Sequence, residues 1–320
     1  MKSLVSALWL AVAPGPALAY TAYVTNERDN TISVVDLSEM KTIKTLQVGQ
    51  RPRGITMTKD GDQILVCASD DDTIQIIDAA TLRIIGDLPS GPDPETFALH
   101  ISGNPLYVSN EDDNMITVID VPTRKVLAQI PTGVEPEGMA VSPDGQTIVN
   151  TSETTNMAHF LDYRTRKLAA AVLVDARPRV AMFKHDGSEV WVSSELGGTV
   201  SVIDPVNHVV THKIAFAVQG LRAEAIQPVG IRFTPDDALA FVALGPANRV
   251  AVIDTKSYKV KKLLLVGQRV WQMAFTPDQK YLLTTNGLSN DISVIDVADL
   301  EVVKSIQVGR LPWGVVVSPK

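Results

Sequence analysis

Tyr23-Val24-Thr25-Asn26, a charged gap, then Thr31-Ile32-Ser33-Val34-Val35-Asp36: this stretch decides the fold, because the rest of the chain repeats it. Its closing aspartate returns at Asp78, Asp120, Asp162, Asp204, Asp254 and Asp296, in steps of 42, 42, 42, 42, 50 and 42 residues. A period held that closely marks a repeat architecture. A second marker keeps the same step at Pro52, Pro94, Pro136, Pro178, Pro228, Val270 and Pro312. The one long interval places eight extra residues within 215–227.

Each unit divides into four strands by its alternation and its turns. In the unit entered through Pro136, strands are expected over residues 138–142, 147–152, 157–162 and 167–174. Pro143-Asp144-Gly145 turns the chain between the first two, and the same signal recurs as His185-Asp186-Gly187 and Pro277-Asp278-Gln279. The repeated aspartate ends each third strand, where a short carboxylate caps the backbone N–H groups of the following turn. Seven copies of one residue are a structural device rather than a set of catalytic acids. The chain opens on a second strand and finishes on a first strand, residues 314–318. These halves complement one another. The expected fold is all-β, a seven-bladed β-propeller of four-stranded antiparallel blades, closed by the C-terminal strand pairing with three N-terminal strands.

Tyr23-Val24-Thr25-Asn26 and its echo Tyr107-Val108-Ser109-Asn110 resemble the YVTN family of β-propeller repeats. With the N-terminal segment and the closure, the chain is similar to the periplasmic β-propeller proteins associated with PQQ-dependent alcohol catabolism. That resemblance implies a quinoprotein dehydrogenase, its cytochrome or transport components as partners.

Lys2, the apolar residues 4–12 and Ala17-Leu18-Ala19 read as a secretory signal peptide of residues 1–19. One propeller domain is then expected over 20–320, and a periplasmic location. The chain of 320 residues is 45% hydrophobic, enough for a sizeable core. Beyond the N-terminus no apolar run reaches the length of a membrane span. The formal charge of −7 argues against nucleic acid as a partner. Cys67 is the only cysteine, so no internal disulfide forms; it falls in a column with Thr25, Ser109, Thr151, Ser193, Ala243 and Thr285 and is read as a buried filler.

No motif for covalent haem is present, and the histidines, His100, His159, His185, His208 and His212, form no zinc pattern. His100 is read as lining the core or the channel. Neither PQQ nor another cofactor is expected, nor a metal. The acidic run Asp70-Asp71-Asp72 is read as a solvated loop.

Topology supplies the candidate site. The loops before each first strand share a face with the loops between second and third strands, and first strands line the central channel. The residue after each repeat proline therefore lies at the channel mouth: Arg53, Glu95, Glu137, Arg179, Val229, Trp271 and Trp313. Two positions earlier stand Arg51, Asp93, Glu135, Arg177, Gln227, Arg269 and Leu311. Arg269 and Trp271, Arg310 and Trp313, and Arg51 and Arg53 fall on three consecutive blades. They are read as a cationic, aromatic crescent for a carboxylate-bearing small molecule or an acidic partner loop. The insertion at 215–227, with Arg222 and Glu224, is expected over the same face. The leading expectation is a non-enzymatic binding or scaffold protein. The alternatives are a propeller enzyme of lactonase type and a cofactor carrier resembling haem d1 propellers.

Overall fold

The computed structural model describes residues 20–319, so the signal-peptide segment lies outside the described residues. Twenty-eight strands form seven separate antiparallel sheets of four. Each sheet is a blade, with its strands counted outward from the channel, and blade 1 is the one that closes the ring. Blade 1 joins Pro312–Val317 to Thr21–Asn26, Thr31–Asp36 and Lys41–Gln47. Its register pairs Ala22 with Val317, Tyr23 with Val316 and Val24 with Val315, as the complementary chain ends required.

Burial follows the alternation. The second strand of the unit entered through Pro136, Thr147–Ser152, is buried from Ile148 onward, because both its faces meet neighbouring blades. The outermost strands are mostly exposed and rich in lysine, as at Lys41–Gln47 and Lys259–Leu265. Charge on an edge strand discourages pairing with other chains. The apolar interior falls into seven clusters, and each bridges two adjacent blades. Leu65, Ile74 and Leu88 of blade 2 meet Leu106, Val108 and Ile119 of blade 3. Ala22, Val24 and Val315 of blade 1 meet Leu283, Ile292 and Val294 of blade 7. The last blade is therefore packed against the first, and the ring has no open interface.

The repeated aspartates cap turns as expected. Asp36 Oδ1 accepts from the N–H groups of Ser38 and Glu39 at 2.8 and 3.0 Å, and Asp162 accepts from Thr165 N–H at 2.7 Å. These hydrogen bonds hold both carboxyls below their ordinary range.

The column of Thr25 and Cys67 does more than admit small side chains. Thr151 Oγ1 accepts from Gly138 N–H in its own blade at 2.8 Å and donates to Arg179 O in the next blade at 3.0 Å. Thr25, Ser193 and Thr285 repeat this bridge to Arg53 O, Val229 O and Trp313 O. Each hydroxyl sits opposite a register shift in the first strand, which turns the mouth residue toward its neighbour. Gly138 is required there: a Cβ would stand 2.2 Å from Arg179 O. Cys67 is fully buried in this column, as expected.

His100 is buried in the packing between blades, the first of the two expected placements. It follows the first strand Pro94–Leu99, stacks on Tyr163 at 4.2 Å and reaches Gly145 O through Nε2 at 3.0 Å. It packs between blades 3 and 4 at the face opposite the mouth, away from the channel. The insertion differs in part. Val218 and Ile226 are buried beside Trp191 and Val200, plugging the seam between blades 5 and 6, while Arg222 and Glu224 face solvent.

Candidate functional site at the channel mouth

The loop preceding each first strand is held by the loop one blade back. Asn30, Asn114, Asn156, Asn248 and Asn290 take left-handed backbone, with φ from 56 to 60°. Their side-chain oxygens accept the N–H of Arg51, Glu135, Arg177, Arg269 and Leu311 at 2.8–3.0 Å. Asp72 does the same for Asp93, and Asp71 accepts from Gln50 N–H at 2.7 Å. The acidic run is exposed to solvent, as expected, and its carboxylates also clamp the neighbouring loops. Asn tolerates this conformation and bonds nearby backbone readily, which explains its recurrence.

The expected mouth residues do converge, but the arginines are not free. Arg51 pairs with Asp70 at 2.6 Å, with Glu95 at 3.1 Å and with Asp93. Arg53 pairs with Glu95 and with Glu27 at 3.5 Å. Arg179 is buried between Glu137 at 3.0 Å, Glu195 at 3.8 Å and Glu153. Arg177 contacts Glu153 at 2.7 Å and Glu195 at 3.3 Å, and Arg269 reaches Glu195 at 2.6 Å. The aromatic part of the crescent is present. Arg269 lies over Trp271 at 4.1 Å, and Arg53 over Trp313 at 5.7 Å. Arg310 is not part of it: it pairs with Asp29 at 2.5 Å on the rim and is 64% exposed, while Leu311 holds the position that Arg51 and Arg269 hold on the neighbouring blades.

The crescent is therefore neutralised, and the mouth as a whole is acidic. Five guanidiniums face nine carboxylates: Glu27, Asp70, Asp93, Glu95, Glu111, Glu135, Glu137, Glu153 and Glu195. Burial pushes Glu137 well up, with Glu95 and Glu153 adding to it against the pull of Arg179. Burial and the charge of Glu95 push Glu111 to about 8, and burial pushes Asp93 to about 6. Burial also raises Glu95, but Arg53 and Arg51 outweigh it and hold that carboxyl below its ordinary value. Even with Glu111 protonated at neutral pH, the remaining carboxylates outnumber the five guanidiniums.

Glu27, Glu111, Glu153 and Glu195 come from the loops after second strands and lie outside the expected set. Their signal is present in the sequence, since they too recur at multiples of 42 residues. Two carboxylate groups, Asp93 with Glu95 and Glu111, and Glu111 with Glu135 and Glu153, bring oxygens within 4.8 Å of one another. That is spacing a hard cation accepts, which the histidine and cysteine patterns do not indicate. His159 lies beneath the mouth loop, its Nε2 accepting Gly133 N–H at 3.1 Å, and burial lowers its pKa. Twelve buried side-chain polar atoms have no hydrogen bond among the described residues, and six are at the mouth: Arg53 Nε, Glu95 Oε1, Glu137 Oε2, Arg179 Nε, Glu195 Oε2 and Trp313 Nε1.

Two family models match parts of the chain. The YNCE-like beta-propeller model matches residues 170–312, and the lactonase 7-bladed beta-propeller model matches residues 18–136. No curated protein sequence matches. Among solved structures, a functionally unknown protein from Desulfotomaculum acetoxidans is similar at 14% identity and TM-score 0.79, over 93% of this chain and 98% of that one. Hydrazine synthase of Kuenenia stuttgartiensis is similar at 20% identity and TM-score 0.72, over 81% and 87%. Dihydro-heme d1 dehydrogenase NirN is similar at 15% identity and TM-score 0.69, over 92% and 74%. At these identities the likeness shows the fold. The chain is a seven-bladed β-propeller protein.

Proposed function

We propose that this chain is a non-enzymatic binding propeller of the periplasm, and that its mouth docks a component of a quinoprotein-dependent alcohol oxidation system. The observation that carries a binding role is the mouth itself. Three buried polar atoms with neither hydrogen bond nor ion pair, Arg53 Nε, Glu137 Oε2 and Trp313 Nε1, meet there inside an ion-pair network that fixes their positions. A surface ordered in advance loses little side-chain entropy when a partner arrives. The repeat resemblance supports the quinoprotein context. The excess of carboxylates gives the partner's sign: a basic loop of a dehydrogenase, its cytochrome or a transport component, rather than an acidic one. The test is surface-immobilised binding of each purified component. Glu135→Lys, at the half-buried rim, is expected to slow association and flatten its salt dependence. A partner bound equally fast by both proteins, or no partner retained from periplasm, refutes the reading.

A second reading, lactone hydrolysis, is favoured by the lactonase family match, which covers Arg51, Arg53, Glu95 and Glu111. Glu111, at about 8, sits near the pH where a carboxyl exchanges protons efficiently, beside guanidiniums that polarise a carbonyl. Turnover on a lactone panel that Glu111→Gln abolishes supports this reading; no turnover excludes it.

A further inference from the structure

Below the mouth, the first strands enclose a cavity of about 220 Å³ on the channel axis. Its chemistry is unlike that of the rim. One position per blade stands three residues after the mouth residue, Thr56, Ala98, Ala140, Met182, Arg232, Ala274 and Val316, and of these Thr56, Met182 and Arg232 line the cavity. Six of the seven are small or apolar, and one is an arginine. Phe97, Met139, Val180 and Met182 supply apolar wall.

Arg232 differs from every arginine at the mouth. No carboxylate lies within 4.0 Å of it among the described residues, and its one hydrogen bond runs from Nη1 to Ile231 O, its own neighbour, at 2.7 Å. Its partly exposed side chain lines the cavity, and burial lowers its pKa to about 10. It stays charged at neutral pH. A largely desolvated guanidinium without a counter-charge is unfavourable, and an anion relieves that cost. Gln272 on the adjacent blade and Thr56 line the same cavity, and neither side chain is hydrogen-bonded among the described residues. Trp313 lines it too, and its buried Nε1–H has no partner.

We infer that the channel is a binding site for a small monocarboxylate with an apolar body, its carboxylate held by Arg232 and its body against Phe97, Met139 and Met182. A guanidinium presents a planar fork that matches a carboxylate in two parallel hydrogen bonds. The Gln272 amide and Thr56 hydroxyl offer further donors to the same oxygens. The volume corresponds to about seven waters at roughly 30 Å³ each. That is room for a body of several carbons, not for a nucleotide or a sugar phosphate. The acidic rim above disfavours polyanions, so a single negative charge is selected. This site lies below the mouth and shares Trp313 with it, but its anion is held by Arg232, with which no mouth carboxylate pairs.

The experiment is titration calorimetry of the full mature chain with benzoate and hexanoate, against hexanamide, acetate and sulfate. One-to-one binding of hexanoate and benzoate is expected, weaker binding of acetate, and none of hexanamide. Arg232→Met, whose side chain resembles Met182 in the same column, is expected to weaken hexanoate by on the order of 10- to 100-fold. Arg232→Lys keeps the charge without the fork and is expected between the two; it also serves should the Met variant fail to fold. The mouth variant Arg51→Gln is expected to bind hexanoate like the parent. Failure of the parent to bind any carboxylate at millimolar concentration overturns the inference. So does equal binding by the Arg232 variants. Sulfate binding as tight as hexanoate would show a generic anion site and overturn it as well.

Discussion

Replacing Thr25 by valine tests the bridge that joins blades at the closure. Thr25 Oγ1 accepts from Gly314 N–H at 2.8 Å and donates to Arg53 O at 2.9 Å. One hydroxyl thus links the N-terminal strand, the C-terminal strand and blade 2. Valine has nearly the same shape, so no cavity forms. The cost is two buried backbone groups without partners, at about 1–3 kcal/mol each. A loss of about 3 kcal/mol is expected, a large fraction of the roughly 5–15 kcal/mol that holds a typical domain together. For the 300 described residues, an unfolding entropy of about 0.6 kcal/mol/K turns this into about 5 °C in melting temperature. Thr25→Ser keeps the hydroxyl, as Ser193 does naturally, and is expected to remain close to the parent. Blade 6 supplies an internal comparison. There Ala243 holds the column, and Gly230 N–H bonds directly to Trp271 O at 3.1 Å. Ala243→Ser is expected to change little. The assay is urea unfolding followed by near-UV circular dichroism, with calorimetry for the melting temperature. Thr25→Val unfolding within about 0.5 kcal/mol of the parent would refute the reasoning, since shape alone would then suffice.

Arg179→Met leaves buried Glu137 without its cation and takes one of the cations from Glu153 and Glu195, and a loss of about 3–5 kcal/mol is expected at pH 7. The gap to the parent should narrow as pH falls and Glu137, whose carboxyl burial holds well above its ordinary range, takes up its proton; a pH-independent gap would contradict the ion-pair account. Glu111 has a folded pKa raised to about 8. The folded state binds its proton more tightly, so its contribution is fully present below the ordinary carboxyl range and is lost as pH rises through about 8. Glu111→Gln should therefore gain on the parent as pH rises from 5 to 8; parallel melting curves would exclude this. Deleting residues 314–320 removes most of the closing strand and exposes the clusters shared with blades 7 and 2. The ring should then melt well below the parent, and an unchanged melting temperature would defeat the closure.

Period and alternation by themselves determined blade number, strand order and the one-plus-three closure. Those features depend on local spacing and on which residues face inward, and both are written along the chain. The same periodicity placed Arg51, Arg53, Glu95, Glu137, Arg177, Arg179, Arg269, Trp271 and Trp313 on one face. It did not decide their charge state. Whether Arg53 is a free cation depends on Glu95, 42 residues on, and on Glu27 of the preceding blade. Only the curvature of the ring sets those distances. The register shifts in the first strands, which aim each mouth side chain at its neighbour, carry no residue signature beyond the glycine and hydroxyl that accommodate them. Arg232 is visible in the sequence as the odd member of its column, yet a column does not say whether an arginine meets a carboxylate. The tertiary structure decided that, because mouth arginines are ringed by the acids of the loops and of Glu95 and Glu137 at the strand starts, while the first strands below that level carry none.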